Sequence, residues 1–352
     1  MRRTWIVAIL VAAVTFGTGI AHFGGAPSLL TFGIATLALA GLAWVVAFAT
    51  EQVGERFGPA VTGLLQSTLG NLPEFFIVVF ALSAGELVVA RASILGSIFA
   101  NALFVLGLVI FAGSVESSDG VMRFQQRLPK DNATLLILAS FLIVVLGISV
   151  SSGDKASHHI TAISVVGSVA LLVTYGFWLF DYLRSDTPVD AQEARGPAIP
   201  LWLALAILAA AGVGAAFVAD WFIGALSPAM EQIGVPKAFA GLVIVAIAGN
   251  AVENTTGVVL ALKGDADLAI SVVKNSVAQI AAFLYPALVL ISLLFAQRLT
   301  FGLPSTGLVL VVALVFSALA IWQITGDGEA AIYEGLALVA TYAVLATVVW
   351  FE

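Results

Sequence analysis

Residues 70–74 read Gly-Asn-Leu-Pro-Glu and residues 249–253 read Gly-Asn-Ala-Val-Glu, and both motifs lie inside long apolar stretches. A carboxylate is costly to bury in such a stretch, so its presence there indicates function. The upstream sequences also match, because residues 51–54 read Glu-Gln-Val-Gly and residues 231–234 read Glu-Gln-Ile-Gly. The chain therefore carries the same costly motif twice, which predicts two internal repeats.

The spacing downstream of the two motifs repeats as well. Ser97 follows Glu74 by 23 residues, and Ser276 follows Glu253 by the same 23 residues. Repeats that each carry an intramembrane acid are typical of secondary transporters, whose site lies near the midplane where the repeats meet. The pattern therefore predicts a transport site at the two glutamates.

The composition indicates a polytopic membrane protein. Hydrophobic residues make up 61% and charged residues 10% of the 352 residues, and the mean hydropathy is +1.10. A soluble protein needs more polar residues to cover its surface. The apolar runs are too long and uniform for β-barrel strands, so we predict an all-α fold with about eleven transmembrane helices. The predicted spans are 4–23, 28–50, 59–84, 91–113, 132–151, 159–180, 200–220, 235–261, 268–295, 304–323 and 332–351.

The most polar long interruption between spans divides the chain into two halves. We predict an extra N-terminal transmembrane helix in 1–27, a first five-helix repeat in 28–180, a cytoplasmic linker in 181–199 and a second five-helix repeat in 200–352. Because five is odd, the second repeat enters the membrane from the side opposite to the first, as in inverted-repeat transporters.

The loop charges predict the orientation. With the N-terminus inside, nine loop Lys and Arg residues fall on the inner side and four on the outer side. Cytoplasmic loops are the ones enriched in these residues, so we expect a cytoplasmic N-terminus and place Glu352 outside. The compact loops favour a bacterial inner membrane. The first apolar run is interpreted as a retained helix, because it is long and shows no small-residue cleavage pattern.

Each repeated motif places an amide and a carboxylate three residues apart, on one helix face. The helices that follow add further oxygen-bearing side chains at helical spacing. The predicted cation ligands are Glu74, Glu253, Asn71, Asn250, Ser97, Ser276, Asn101 and Gln279. An all-oxygen shell with two negative charges suits a hard cation such as Ca²⁺.

Two carboxylates in a low-dielectric surround repel each other when both are ionised, so a cation or protons must neutralise them. A dication that competes with protons for the same pair is itself an exchange mechanism, and we treat the glutamates as one coupled dyad. Pro73, Gly70 and Gly249 interrupt or loosen the nearby helices. This either frees backbone carbonyls for coordination or serves only as a packing kink.

Three polar features have more than one interpretation. Lys274 lies inside a predicted span, where its ammonium either extends to the cytoplasmic interface or pairs with a carboxylate. His158 and His159 lie in a predicted loop, with solvation as the simpler interpretation and metal binding as the alternative. The acidic linker is interpreted as solvated, with cation sensing as the alternative.

Several classes of function are disfavoured. The chain has no cysteine, which excludes disulfides and thiolate metal sites. Its net charge of −7 is spread over several loops, which gives no nucleic-acid footprint. No zinc-protease motif or nucleophile elbow occurs, so we expect neither an enzyme nor a cofactor. The expected partners are an inorganic cation, the lipid bilayer and, as an open alternative, a second copy of the chain.

At these motifs the chain resembles the calcium/cation antiporter superfamily, and within it the calcium/proton exchanger branch. That family is characterised by paired Gly-Asn-x-x-Glu motifs in inverted five-helix repeats, each followed by a Gly-Ser-containing helix. The resemblance covers residues 51–101, with Leu-Gly-Ser-Ile-Phe-Ala-Asn at 95–101, and residues 231–286, with Gln-Ile-Ala at 279–281. It implies that Glu74 and Glu253 carry the cation and the counter-transported proton, and that the cation leaves the cytoplasm. The neighbouring ligands implied by the resemblance are Asn71, Asn250, Ser97, Ser276 and Gln279.

The chain departs from the family pattern at three places. Asn254 stands where the family usually has His, Val277 replaces the second Ser of a pair, and Lys274-Asn275 replace an apolar residue and Gly. A lost hydroxyl and a nearby added cation would weaken a site for a dication. The leading expectation is a calcium/proton antiporter, with Na⁺/H⁺ or Na⁺/Ca²⁺ exchange as the alternative and a passive channel less favoured.

Overall fold

The computed structural model describes residues 2–54, 56, 69–124, 127–184, 199–302 and 307–351. Most of this described chain is α-helical. In chain order the helices are α1 (Arg2–Phe23), α2 (Ser28–Gly54), α3 (Leu72–Ser83), α4 (Leu87–Phe99), α5 (Leu106–Glu116), α6 (Arg127–Ser152), α7 (Ile160–Arg184), α8 (Leu201–Ile233), α9 (Lys237–Phe239), α10 (Ala246–Gly249), α11 (Ala251–Leu262), α12 (Ala266–Gln279), α13 (Tyr285–Ser292), α14 (Gly307–Thr325) and α15 (Ile332–Trp350).

The predicted all-α membrane architecture is confirmed. Within the described ranges, eight helices are long and apolar enough to cross a membrane, and a bent pair around residues 249–254 adds a ninth if it is one span. Large apolar side chains such as Phe16, Phe177 and Phe316 face outward, with exposures of 75%, 72% and 65%, as lipid-facing residues do. The predicted number of eleven is not confirmed, and much of the predicted span 59–84 lies outside the described residues.

A short antiparallel sheet was not predicted. Strand β1 (Val121–Arg123) pairs with β2 (Glu329–Ala331), with Met122 opposite Ala330. Ser114 at the end of α5 donates a hydrogen bond to the Ala330 carbonyl over 3.0 Å. Three-residue strands are too short to show an alternating hydrophobic pattern, so this link between two distant loops left no signal in the sequence.

The chain forms two compact units, and each draws on both halves of the sequence. The first unit contains residues 1–93 and 178–252, and the second contains residues 94–177 and 253–352. The central part of the predicted linker, residues 185–198, lies outside the described residues. The division into two five-helix repeats stays a prediction.

In the first unit α2 packs along α8, while α1 and α3 also pack against α8. Glycines allow two close approaches. A Cβ at Gly41 would lie 2.7 Å from Val11 Cγ2, and one at Gly241 would lie 2.8 Å from Ala92 Cβ. Small residues permit such helix contacts in membranes, where helix association depends on close packing.

In the second unit α5 crosses α15 at a pair of glycines. A Cβ at Gly107 would lie 2.6 Å from the Gly335 carbonyl oxygen, and one at Gly335 would lie 2.7 Å from the Gly107 oxygen. The backbones therefore touch at this crossing, and any larger residue would force the helices apart.

In the described part of the chain, three π-helical segments interrupt the helices: π1 (Ala100–Val105), π2 (Ala240–Val245) and π3 (Ile280–Leu284). Glu253 follows Glu74 by 179 residues, and under this offset π1 corresponds to π3 except for its first residue. Such π-bulges are rare and often lie at functional sites. Segments π1 and π3 each follow directly on a helix that carries a predicted serine ligand.

Candidate cation site

The first motif lies at the start of α3, beside the second motif. Asn71 and Glu74 are 6% and 1% exposed, and the Asn71 carbonyl accepts a hydrogen bond from the Phe75 amide over 2.9 Å. A Cβ at Gly249 would lie 3.8 Å from Glu74 Cβ. Within the first unit, the glutamate of one motif is therefore in contact distance of the glycine of the other.

Pro73 does not kink a continuous helix. The chain turns at Gly70 and Asn71, and α3 begins at Leu72 with Pro73 in its first turn. Proline is tolerated there, because the first amides of a helix have no intrahelical acceptor. The same position places Glu74 in the first turn, where the partial positive charge of a helix N-terminus stabilises a carboxylate.

Asn250 occupies the matching turn between α10 and α11, and it is fully buried. Its Nδ2 donates a hydrogen bond to the Ala246 carbonyl over 2.9 Å. A carbonyl can only accept, so this contact assigns the nitrogen of the amide to that side. This hydrogen bond fixes the orientation of the amide group, so the Oδ1 atom of Asn250 points away from the Ala246 carbonyl.

Asn101, at the start of π1, also donates its amide nitrogen to the carbonyl four residues back. Its Nδ2 donates to the Ser97 carbonyl over 3.0 Å, and both residues are fully buried. A π-bulge breaks the regular i to i−4 ladder, and the Asn101 amide supplies a donor to the carbonyl one turn back. The side chain thus supplies a donor to the Ser97 carbonyl, and the same hydrogen bond fixes the direction of the Asn101 amide oxygen.

Two further predicted ligands lie on α12 in the second unit. Ser276 and Gln279 are 4% and 6% exposed, and π3 begins directly after Gln279. Among the described residues, the Ser276 hydroxyl has no hydrogen-bond partner. A buried polar atom of this kind calls for a ligand, a water or an ion.

The structure thus places the eight predicted ligands in two groups. Asn71, Glu74 and Asn250 belong to the first unit. The second unit contains Ser97, Asn101, Glu253, Ser276 and Gln279. Glu253 lies on α11, but its side chain lies outside the described part of the structure. Among the described residues, no three His, Asp or Glu side chains form a metal cluster.

Lys274 does not extend its ammonium to solvent. The side chain is 8% exposed, and its Nζ donates a hydrogen bond to Thr325 Oγ1 over 2.5 Å. The sequence contained no signal for Thr325, because it lies 51 residues away at the end of α14. The expectation that the ammonium reaches the interface was therefore wrong.

His158 and His159 are both exposed. Together with Arg298 they line a cavity of about 350 Å³. The guanidinium of Arg298 opposes the binding of a cation there, so the geometry gives no support to a metal site at this pair.

A polar contact of Glu86, which lies in the loop between α3 and α4, ties this loop to α8 and α9. Glu86 Oε1 accepts hydrogen bonds from Ser227 over 2.6 Å and from Lys237 over 2.9 Å. Burial raises the pKa of Glu86, but the hydrogen bonds from Ser227 and Lys237 and the charge of Lys237 outweigh it, so the pKa lies below its usual value. The pair therefore stabilises the fold above the unfolded-state pKa, and this stability is lost as the pH falls through the folded-state pKa.

We expect the variant Glu86→Gln to lower the melting temperature at pH 7, by the equivalent of about 1 kcal/mol or less, since the pair is partly exposed. The difference from the unchanged protein should persist down to about pH 5 and shrink below the ordinary Glu pKa of about 4.3. Thermal unfolding in detergent between pH 7 and pH 3.5 measures this. A difference that grows as the pH falls would contradict the assignment.

Comparison with known proteins identifies the architecture. The model of the family described as "Sodium/calcium exchanger protein" matches residues 27–181 and 203–351. The chain is 31% identical to "Ca(2+)/H(+) antiporter ChaA" of Bacillus subtilis (strain 168), over 91% of this chain and 92% of that protein. It is 30% identical to the "Ca(2+)/H(+) antiporter" of Aphanothece halophytica, over 91% and 90% of the two chains. The solved structure of native YfkE superposes with a TM-score of 0.81 at 28% identity, covering 98% of this chain and 100% of that one.

Proposed function

The chain belongs to the sodium/calcium exchanger protein family, within its calcium/proton exchanger branch, and from this premise we propose that it exports Ca²⁺ from the cytoplasm in exchange for protons. It is a multi-pass membrane protein whose relatives are named as transporters. Cation/proton exchange follows from those relatives. The ion, the direction and the two-glutamate site are our proposal.

The observation that carries the proposal is the duplicated acidic motif and the place of its first copy. Glu74 is 1% exposed, and it lies beside Gly249 of the second motif. A buried carboxylate needs a counter-charge or a proton. We propose that Glu74 and Glu253 share that requirement and are neutralised in turn by a cation and by protons.

The chemistry of the other predicted ligands supports a hard cation. The amide oxygens of Asn250 and Asn101 are positioned by the hydrogen bonds of their nitrogens, and the Ser276 hydroxyl is buried. Neutral oxygens of this kind are the ligands that Ca²⁺ takes alongside carboxylates. They can bind the metal without adding negative charge that protons would also have to neutralise.

The exchange cycle follows from competition at one dyad. Binding of a dication requires both carboxylates to be ionised, so each proton that leaves makes room for the metal. Because a proton and the cation cannot occupy the same carboxylate, the apparent affinity for Ca²⁺ should rise about tenfold per pH unit for each proton displaced. Rocking of the two repeats about this dyad would expose it to each side in turn.

The proposal is tested with the purified protein in proteoliposomes that contain a pH dye. Addition of Ca²⁺, Na⁺ or K⁺ in turn shows which ion evokes proton movement, and liposomes without protein give the background. We expect Ca²⁺ to evoke a saturable proton flux out of the compartment it enters. A flux with Na⁺ alone would establish monovalent exchange instead, and no flux with any cation would refute proton coupling.

One observation favours a second candidate, Na⁺/H⁺ exchange. Lys274 is buried on α12, two residues before the proposed ligand Ser276. A positive charge at this place opposes a dication more strongly than a monovalent ion. The Na⁺ arm of the same experiment measures how far this effect goes.

A further inference from the structure

Lys274 has a feature that the exchange mechanism does not use. Its Nζ lies inside the second unit and donates to Thr325 Oγ1, and Thr325 is itself only 1% exposed. The Thr325 hydroxyl donates its own proton to the Ile321 carbonyl over 2.6 Å. The Thr325 oxygen therefore accepts the hydrogen bond from Lys274 through a lone pair, and this bond joins α12 to α14.

This single contact is poor compensation for a buried ammonium. An ammonium has three donors, and a threonine hydroxyl is one neutral acceptor. Among the described side chains, none forms an ion pair with Lys274. Burial of a charge with so little compensation is costly, so packing alone does not account for a lysine here.

The other repeat shows that the position does not need a charge. Under the 179-residue offset, Lys274 corresponds to Leu95, which is 2% exposed in α4 and precedes Ser97 by the same two residues. Leucine fills the buried position on the matching helix without any charge. The lysine therefore adds a charge to one of two segments that share the buried serine at the matching position.

That charge lies on the helix that carries two of the proposed ligands. Lys274 and Ser276 are two residues apart on α12, so their side chains lie about 3 Å apart along the helix axis and about 200° apart around it. Gly257, one helical turn after Glu253 on α11, approaches Val273 of α12, because a Cβ at Gly257 would lie 3.0 Å from Val273 Cγ2. Lys274 is thus in the same unit as Glu253, and its neighbour Val273 contacts the helix that carries Glu253.

We infer that Lys274 is a specificity-determining residue, a built-in monovalent cation that weakens the site for divalent cations more than for monovalent ones. The inference rests on the proposed exchange at Glu74 and Glu253. By Coulomb's law at an effective dielectric constant of about 20, a unit positive charge on the order of 10 Å from a bound ion weakens binding roughly 20-fold for a monovalent cation and roughly 300-fold for a divalent one. The chain is then a low-affinity calcium exchanger that also admits Na⁺.

The test compares the unchanged protein with Lys274→Leu, which copies the first repeat, Lys274→Met, which keeps the length, and Lys274→Arg, which keeps the charge. Half-saturating Ca²⁺ and Na⁺ concentrations are measured in the proteoliposome assay at one pH. We expect Leu and Met to increase the preference for Ca²⁺ over Na⁺ at least about tenfold. Arg should keep the original preference, because it keeps the positive charge. If Lys274 served only to pack α12 on α14, the effect of each variant would follow its shape and not its charge.

A second readout covers variants that transport poorly. In detergent, the shift of the melting temperature with Ca²⁺ and with Na⁺ reports binding to the folded protein, and Lys274→Met should show the larger Ca²⁺ shift. An unchanged ion preference in Lys274→Met, or the same change in Lys274→Arg, overturns the inference and leaves the exchange proposal intact. If the unchanged protein folds but moves no protons with any cation, the exchange proposal fails and the inference fails with it.

Discussion

Replacement of either repeated glutamate by glutamine is expected to abolish cation-evoked proton movement. Glutamine keeps the size of Glu74 and of Glu253 but removes both the charge and the proton. A dication bound by one carboxylate instead of two loses a full opposite charge at close range, which in a protein interior corresponds to several kcal/mol. We expect the flux from Glu74→Gln and Glu253→Gln to fall at least about a hundredfold, to the background of empty liposomes.

The control for this experiment is Glu116→Gln. Glu116 ends α5 and is exposed, so the same chemical change is made outside the proposed site. We expect it to transport like the unchanged protein. Melting temperatures show whether each variant is folded. Glu74→Asp adds a graded test, because it keeps the charge but draws it back by one methylene, and it should retain a reduced, measurable flux.

Both single variants should be equally severe, because a dyad works as one unit and its members do not contribute additively. A folded Glu253→Gln protein with half of the original Ca²⁺-evoked flux would show that the second motif is not part of the site. Retained flux in Glu74→Gln would be the more damaging result, since Glu74 is the buried acid that carries the proposal.

The sequence predicted the fold class because the membrane constrains it strongly. Every backbone group in the hydrocarbon region needs an internal partner, so long apolar runs indicate helices almost without reference to tertiary contacts. The boundaries were less predictable. The turn at Gly70 and Asn71 places Pro73 in the first turn of α3, whereas the apolar run alone left open a kink in a continuous helix or freed carbonyls.

The paired π segments and the partner of Lys274 could not be predicted for a different reason. A π-bulge adds one residue to a helix without any characteristic composition, and apart from Asn101 the residues of π1 and π3 are common in spans. The contact of Lys274 with Thr325 joins residues from different helices. No local pattern encodes such a contact, so the sequence alone left two interpretations of Lys274. Its burial contradicts the first of them, an ammonium at the interface.

Replacement of Asn250 by leucine is the second change with a large expected effect. Asn250 is fully buried, and its Nδ2 is bound to the Ala246 carbonyl, so its Oδ1 is presented without free rotation. Leucine removes that oxygen. Hydrogen bonds and contacts to charged groups contribute about 1.5–3 kcal/mol. We therefore expect the half-saturating Ca²⁺ concentration to rise about tenfold to a hundredfold in Asn250→Leu.

The competing explanation is that leucine merely leaves the Ala246 carbonyl without its side-chain donor and disturbs the helix. Thr18→Val controls for this, because Thr18 is also fully buried in the first unit and donates to the carbonyl four residues back, Val14, over 2.9 Å. Both variants lose the same kind of hydrogen bond, so both should lose a similar, small amount of stability. The Ca²⁺ requirement should change in Asn250→Leu alone. If Thr18→Val raises it equally, the effect belongs to helix integrity, and Asn250 is not a ligand.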